Sequence, residues 1–292
     1  MAVSYPRDTH GAVRRFCGRW QLAGDHVSPY RRSGVVTLVS RGPVVLHYLL
    51  FALLVAGGLG ACSDAPAPPP AVVATPVDPA TAGTIQVEVR YEGPVPAAKL
   101  VDMRSAAQCA AAHPQPVYDG SLIVHDGHLA NAVVWIKDGL QQRVFAPPTE
   151  PVVIDQQGCV YVPRVAAAMV SQPVRFLNSD REAHNVHGHP AVVSSWNFLL
   201  GRQGAEETLT FAKPEIGIAV GCDIHPWMRG YLSVVPNPYF GVTPASGAVT
   251  LALVPPGEYV VGVWHETLGT KEQRVTLAPS GSANVEVSYS GS

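Results

Sequence analysis

Charge is scarce in this chain: Asp, Glu, Lys and Arg together make up 14% of its 292 residues. Beyond residue 61 the basic residues never gather into a patch or stripe, which argues against a nucleic-acid partner. Long stretches with a helical apolar period and caps are missing too, which argues against a helical bundle. There is no tandem repeat and no coiled-coil heptad run. The longest apolar run, Val44 to Leu59, falls short of the roughly 20 residues that a membrane-spanning helix needs.

What the chain has in quantity is Pro and Gly, 27 of each, together with many Val and Thr. These favour short strands and turns. Ile85, Val87, Val89 and Tyr91 alternate with polar residues, the pattern of a half-buried strand. Ala132–Ile136 is an unbroken apolar run ended by Asp138-Gly139, as in a buried strand. Further strands are predicted at 152–154, 160–162, 174–177, 208–211, 216–220 and 230–235. The tail adds 248–253, 258–264, 273–277 and 284–289. Short strands at regular spacing with turn signals predict an all-β protein built from sandwiches. Residues 94–128 are harder to read, with one short helix expected around Ala106–Ala112.

The first 61 residues read as an export signal. Arg14, Arg15, Arg31, Arg32 and Arg41 precede the apolar run, which ends in Leu59-Gly60-Ala61-Cys62. Positive region, apolar region, small residues before a cut is the order of a signal peptide. The competing reading is a transmembrane anchor. Leu-Gly-Ala-Cys resembles a bacterial lipobox, which implies lipidation of Cys62 and a protein tethered to a membrane, periplasmic or at the cell surface. The positive region is long, and a start near Val35 or Val39 would leave a signal of ordinary length. Residues 62–83 form a Pro/Ala-rich spacer, extended and semi-rigid. Seven Arg and two Asp lie in residues 1–61, so of the 20 basic and 22 acidic residues 13 and 20 remain beyond them, a net of −7.

The remaining cysteines divide by context. Cys222 lies in Cys222-Asp223-Ile224-His225-Pro226-Trp227-Met228-Arg229-Gly230, directly after the predicted strand 216–220. A thiolate, an imidazole and a thioether thus fall within seven residues. Two His, one Cys and a weak axial Met are the ligand set of blue-copper electron-transfer sites. Soft sulfur suits Cu(I), and imidazole suits both oxidation states, so the set tolerates a change of valence. Zinc is the main competitor, but its sites seldom use Met. The second His is available upstream as His184, in Asn178-Ser179-Asp180-Arg181-Glu182-Ala183-His184-Asn185-Val186-His187. Cys109 and Cys159 are left over, and an exported protein can pair them as a disulfide; the alternative is two free, buried thiols.

Both motifs resemble those of the cupredoxin family of type 1 blue-copper proteins, in its amicyanin-like and plastocyanin-like members, over roughly residues 151–236. The resemblance implies a Greek-key β-sandwich. It implies one type 1 copper ion, cycling between Cu(I) and Cu(II), with His184, Cys222, His225 and Met228 as ligands. It gives Asn185 the role of tying the two ligand loops together, with Pro226 beside His225 in the outer shell. His225, on its loop and flanked by Pro226 and Trp227, is expected to be the exposed ligand and the exit for the electron. The insert 189–207 is rich in apolar residues and is expected to cap or widen the site. His187, His189, His113, His125 and His128 are expected at the surface, and His265 is left without a role beyond a surface one.

Gly247 to Val261, with its Pro255-Pro256-Gly257 turn before Tyr259, is similar to the carboxypeptidase regulatory-like, transthyretin-like sandwich. The tail is too short for that whole module. Residues 84–149 are expected to supply its opening strands and 237–292 its closing ones, with a cupredoxin domain at 150–236 inserted between. Pairing of the strand 84–91 with a tail strand is the test of that arrangement. The function expected is electron transfer between redox proteins outside the cytoplasm by a carrier that is not an enzyme. A copper-delivering or copper-sensing lipoprotein, and a structural or ligand-binding one, are the alternatives.

Overall fold

The computed structural model describes residues 73–291. The export signal, the lipobox with Cys62 and the first part of the spacer lie outside the described residues. No helix among the described residues is long and apolar enough to cross a membrane.

The fold is all-β. In chain order the elements are β1 (Gly83–Glu92), α1 (Ala107–Ala111), β2 (Val124–His125), β3 (His128–Leu129), β4 (Val133–Asp138), β5 (Val152–Gln156) and β6 (Tyr161–Val162). Then follow β7 (Val165–Met169), β8 (Val174–Asn178), β9 (His184–His189), β10 (Trp196–Leu200), β11 (Glu206–Leu209) and β12 (Glu215–Gly221). The chain ends in β13 (Arg229–Val235), β14 (Phe240–Val242), β15 (Ala248–Val254), β16 (Gly257–His265), β17 (Gly269–Leu277) and β18 (Ser282–Ser290).

Four sheets result. One runs β15-β1-β3-β2, with β18 also on β1, and a second runs β14-β4-β16-β17. Their inner faces enclose one apolar core, which includes Ile85, Val87, Val89, Ile136, Leu251, Val261 and Val287. The alternation read in β1 puts its odd-numbered residues into this core. The first strand pairs antiparallel with β15 and parallel with β18, the latter through nine partners from Thr84↔Ser282 to Glu92↔Ser290. The early strand therefore completes a sheet whose other long members come from the tail.

The other two sheets run β10-β9-β12-β13-β7 and β11-β8-β5-β6. They enclose the second core, with Ile154, Phe176, Val186, Ile218, Val220 and Leu232. A third apolar cluster lies between the sandwiches, where Val133 and Trp135 of β4 meet Val165, Ala167 and Val235, flanked by Tyr231 and Trp264. All of Val133–Ile136 is buried because β4 faces a core on one side and this seam on the other, as its unbroken apolar run requires. Gly217, at φ +72, lets the Trp264 ring lie against the backbone; a Cβ there would sit 2.5 Å from the ring. Arg164 and Glu266 close the seam with two parallel bonds of 2.6 and 2.7 Å. Glu266 is 4% exposed in its side chain, so this pair is worth more than a surface one.

Three expectations change here. The insert 189–207 forms the edge strand β10, paired to β9 from Trp196↔Gly188 to Leu200↔His184, and lays Val193, Trp196 and Phe198 on the second core. Residues 101–117, expected with the opening strands of the first sandwich, pack instead on the second core, through Val101, Met103, Ala106, Cys109 and Val117, while Leu122 returns to the first core. His265, expected at the surface, is 1% exposed at the end of β16.

Candidate metal centre

The strand β9 begins at His184, and its neighbour β12 ends one residue before Cys222. The loop from Cys222 to β13 is pulled tight by its own backbone: the Cys222 amide donates to the Met228 carbonyl at 3.3 Å and the Met228 amide to the His225 carbonyl at 2.9 Å. His184, Cys222, His225 and Met228 are 0, 4, 6 and 1% exposed. His184 Nδ1 lies 2.9 Å from His225 Nδ1, and Cys222 Sγ lies 3.9 Å from that same nitrogen. Three potential donors from two separate loops thus converge, all within 4.8 Å of one another. Met228 packs in the same apolar cluster as Cys222, and both line a cavity of about 390 Å³ that reaches Arg229 and Tyr231.

The surroundings orient these donors. Asp180 accepts from His184 Nε2 at 2.9 Å, so Nε2 carries a proton and the ring turns Nδ1 toward His225. A carboxylate behind a ligating imidazole fixes its tautomer in this way. The same carboxylate accepts the Gly158 and Cys159 amides at 2.6 and 2.7 Å, which anchors it to the β5–β6 turn. Asn185 joins the loops: its Oδ1 accepts the Asp223 amide at 2.7 Å, and its Nδ2 donates to Asp223 Oδ2 at 2.8 Å. The Tyr161 hydroxyl adds a second tie by donating to the Gly221 carbonyl at 2.8 Å.

Electrostatics favour an ionised sulfur. Burial pushes the Cys222 thiol up, but His184 and the Asn185, His225 and Ile224 amides pull it down and win. Burial likewise works against charge on His184, yet Cys222 and Asp180 hold it above its usual value. For His225, burial and then neighbouring His184 both lower it, so this ring stays neutral. A sulfur poised to lose its proton, beside two ring nitrogens, is a donor set that fits a soft, borderline metal ion.

The structure overturns the expectation that His225 is exposed. Residues 94–122 reach across it as a cap. The Val101 amide donates to the Val117 carbonyl and the Asp119 amide to the Lys99 carbonyl, and α1 sits at the tip of this arm. Cys109 on α1 is disulfide-bonded to Cys159, with Cα atoms 5.5 Å apart, and Cys109 Sγ lies 3.6 Å from His225 Nε2. Pro226 and Ile224 are exposed instead, and Trp227 is half-buried, donating from Nε1 to the Cys159 carbonyl.

Other histidines stay out of the cluster. His187 bonds to Asp223 at 3.0 Å and stacks on His189, ring centres 4.0 Å apart. His113 donates to the Gly158 carbonyl at 2.6 Å. The sequence reading missed Asp180, Tyr161 and the cap. Asp180 carried one usable signal, a carboxylate four residues before a candidate ligand on the same loop.

No family model and no curated protein matches the chain. Among solved structures, it is similar to an amicyanin at 21% identity, covering 35% of this chain and 97% of that one, with a TM-score of 0.27. A purple cupredoxin from Nitrosopumilus maritimus matches at 20% identity, 28% and 98% coverage and a TM-score of 0.25. A Cu-containing nitrite reductase from Thermus scotoductus SA-01 matches at 25% identity over 32% of this chain, with a TM-score of 0.27. This chain spans 24% of the length of that reductase. At such scores the likeness carries no argument about this chain's function.

Proposed function

We propose that this protein is an exported blue-copper electron carrier, holding one type 1 copper ion through His184, Cys222, His225 and Met228. The observation that carries the reading is the buried convergence of His184 Nδ1, His225 Nδ1 and Cys222 Sγ, with Met228 buried alongside. Copper, when bound, supplies one-electron exchange between Cu(I) and Cu(II). The chain's residues do the rest. Asp180 fixes the His184 ring, Asn185 and Tyr161 hold the two loops at one spacing, and the cap keeps water from His225. A donor set locked this way changes little with the ion's charge, the condition for fast exchange.

The reading extends outward. A lipid on Cys62 and the Pro/Ala spacer tether the protein to a membrane outside the cytoplasm. The first sandwich, a carboxypeptidase regulatory-like module interrupted by the metal-bearing one, is the mount; the pairing of β1 with β15 and β18 supports this. Redox partners dock transiently on the face around Ile224 and Pro226, because the His225 edge lies under the cap.

An optical and EPR spectrum of the Cu(II)-loaded protein tests the reading. Strong visible absorption with narrow copper hyperfine splitting, both lost in Cys222→Ala, is the expected result. Protein that stays colourless with Cys222 reduced would overturn it.

A further inference from the structure

A second donor group shares one ring with the first. The first group gathers around His225 Nδ1. On the other side of the ring, Nε2 lies 3.6 Å from Cys109 Sγ. Cys109, Cys159 and His225 together place two sulfurs and a nitrogen within 4.8 Å of one another. All three residues are buried, at 0, 2 and 6% exposure. Bridged to each other, the sulfurs offer an ion little.

Each cysteine has anchors besides the bridge. Cys159 is held by its own backbone: its amide donates to Asp180 and its carbonyl accepts from Trp227 Nε1. Cys109 is held by the cap, which buries Met103 in the second core and ties His113 to the Gly158 carbonyl at 2.6 Å. None of these anchors involves the S–S bond. Two thiolates on one three-coordinate ion, each with a bond of about 2.3 Å and about 120° apart, sit about 4.0 Å from each other. Cα atoms 5.5 Å apart reach that separation by side-chain rotation alone. A route to the bridge exists as well. Cys159 lines a cavity of about 170 Å³ with Gln108, Arg181 and Glu182, and Arg181 is exposed.

We propose that opening the Cys109–Cys159 bridge creates a second soft-metal site, in which both thiolates and His225 Nε2 bind a cuprous ion. The copper reading of the neighbouring centre enters only through the choice of metal. A dithiol reductant supplies the two electrons: it becomes a disulfide, and Cys109 and Cys159 become thiols. Binding of Cu(I) then releases the two thiol protons and, where copper already holds His225 Nδ1, the proton on Nε2 as well. Thiolate sulfur favours Cu(I), and imidazole is compatible with it. The chain thereby carries a thiol-controlled copper capacity directly against its electron-transfer centre.

The test isolates the new site by removing the first. Full-length Cys222→Ala protein is prepared oxidised, or reduced with dithiothreitol and desalted without air. Each form is titrated with Cu(I) against the chromogenic chelator bathocuproine disulfonate. The expected result is one tight equivalent more in the reduced form than in the oxidised one, lost when Cys109→Ser and Cys159→Ser are added. Alkylation gives a second readout on the reduced wild-type chain, which needs no variant to fold. Cu(I) is expected to protect both Cys109 and Cys159 from iodoacetamide by at least tenfold. Equal copper uptake in the oxidised and reduced Cys222→Ala forms, or alkylation indifferent to Cu(I), would overturn the proposal. Failure of the blue-copper reading shows separately, as oxidised wild-type protein that binds no copper.

Discussion

The two sandwiches bury different chemistry. The first fills its interior with Val, Ile, Leu and Tyr. Its Tyr91, Tyr239, Tyr259 and Tyr289 hydroxyls each donate to a backbone carbonyl. The second buries His184, His225, Cys222, Gln156, Asn178 and Asn185. Buried polar groups cost stability unless bonded, and here most bonds hold a donor in position rather than merely satisfying it. The comparison teaches a division of labour: one body supplies apolar stabilisation, the other spends it on a prepared cluster. The seam of Val133, Trp135, Val165 and Val235 links the two.

The sharpest way to break the comparison is one substitution in each body. Ile136→Ala, at a fully buried position of the first core, should cost about 4 kcal/mol in chemical denaturation. The visible spectrum of the copper-loaded protein should be unchanged. A shifted spectrum would show that the mount shapes the site.

A pH series comes next. Burial, and then the Arg164 charge, lower His265 to about 4 from 6.5. The folded state keeps this ring neutral while the unfolded chain takes up a proton. The stability it contributes is therefore complete above pH 6.5 and is lost as pH falls from 6.5 to about 4. The loss should reach about 3 kcal/mol. His265→Asn retains an acceptor for Thr267, which bonds to the ring's Nδ1, and should flatten that slope. An equal slope in the variant would assign the pH dependence elsewhere.

The seam can be loosened on its own. Arg164→Ala leaves Glu266 buried without its bidentate partner and should cost about 2–3 kcal/mol, at or below the range for breaking a buried pair. Calorimetry should then resolve two transitions where the wild type shows one. A single transition at lower temperature would mean the apolar contacts alone couple the bodies.

The smallest effect is expected at Asn185→Ala. It removes the bonds to Asp223 and should cost about 1–2 kcal/mol, while copper release, followed with a chelator, quickens by about tenfold or more. Unchanged release would remove Asn185 from the positioning of the site.

Much of this was readable in advance, and for physical reasons. Alternation in β1 and the unbroken apolar run in β4 report which faces are covered, and both elements form where the pattern puts them. The Cys222–Met228 loop was legible because its donors are close in sequence. The cap was not: residues 94–122 carry no period, since they lie on a core instead of building a sheet. The burial of His225 follows from that arm and so escaped the reading of its own loop. His265 escaped because Trp264-His265-Glu266 reads as polar surface, while the seam that covers it is made by strands far away in sequence.

One consequence of the β1 pairing is mechanical. A pull on the chain from the N-terminal side, once past the bonds of Thr75 to Val144, reaches β1, which lies between β15 and β18. Load along that strand falls on both hydrogen-bond ladders at once, in shear, so the bonds must give way together and not one after another. The fold therefore grips its leading strand like a clamp, and a force applied there is spread across the sheet before it reaches the second sandwich.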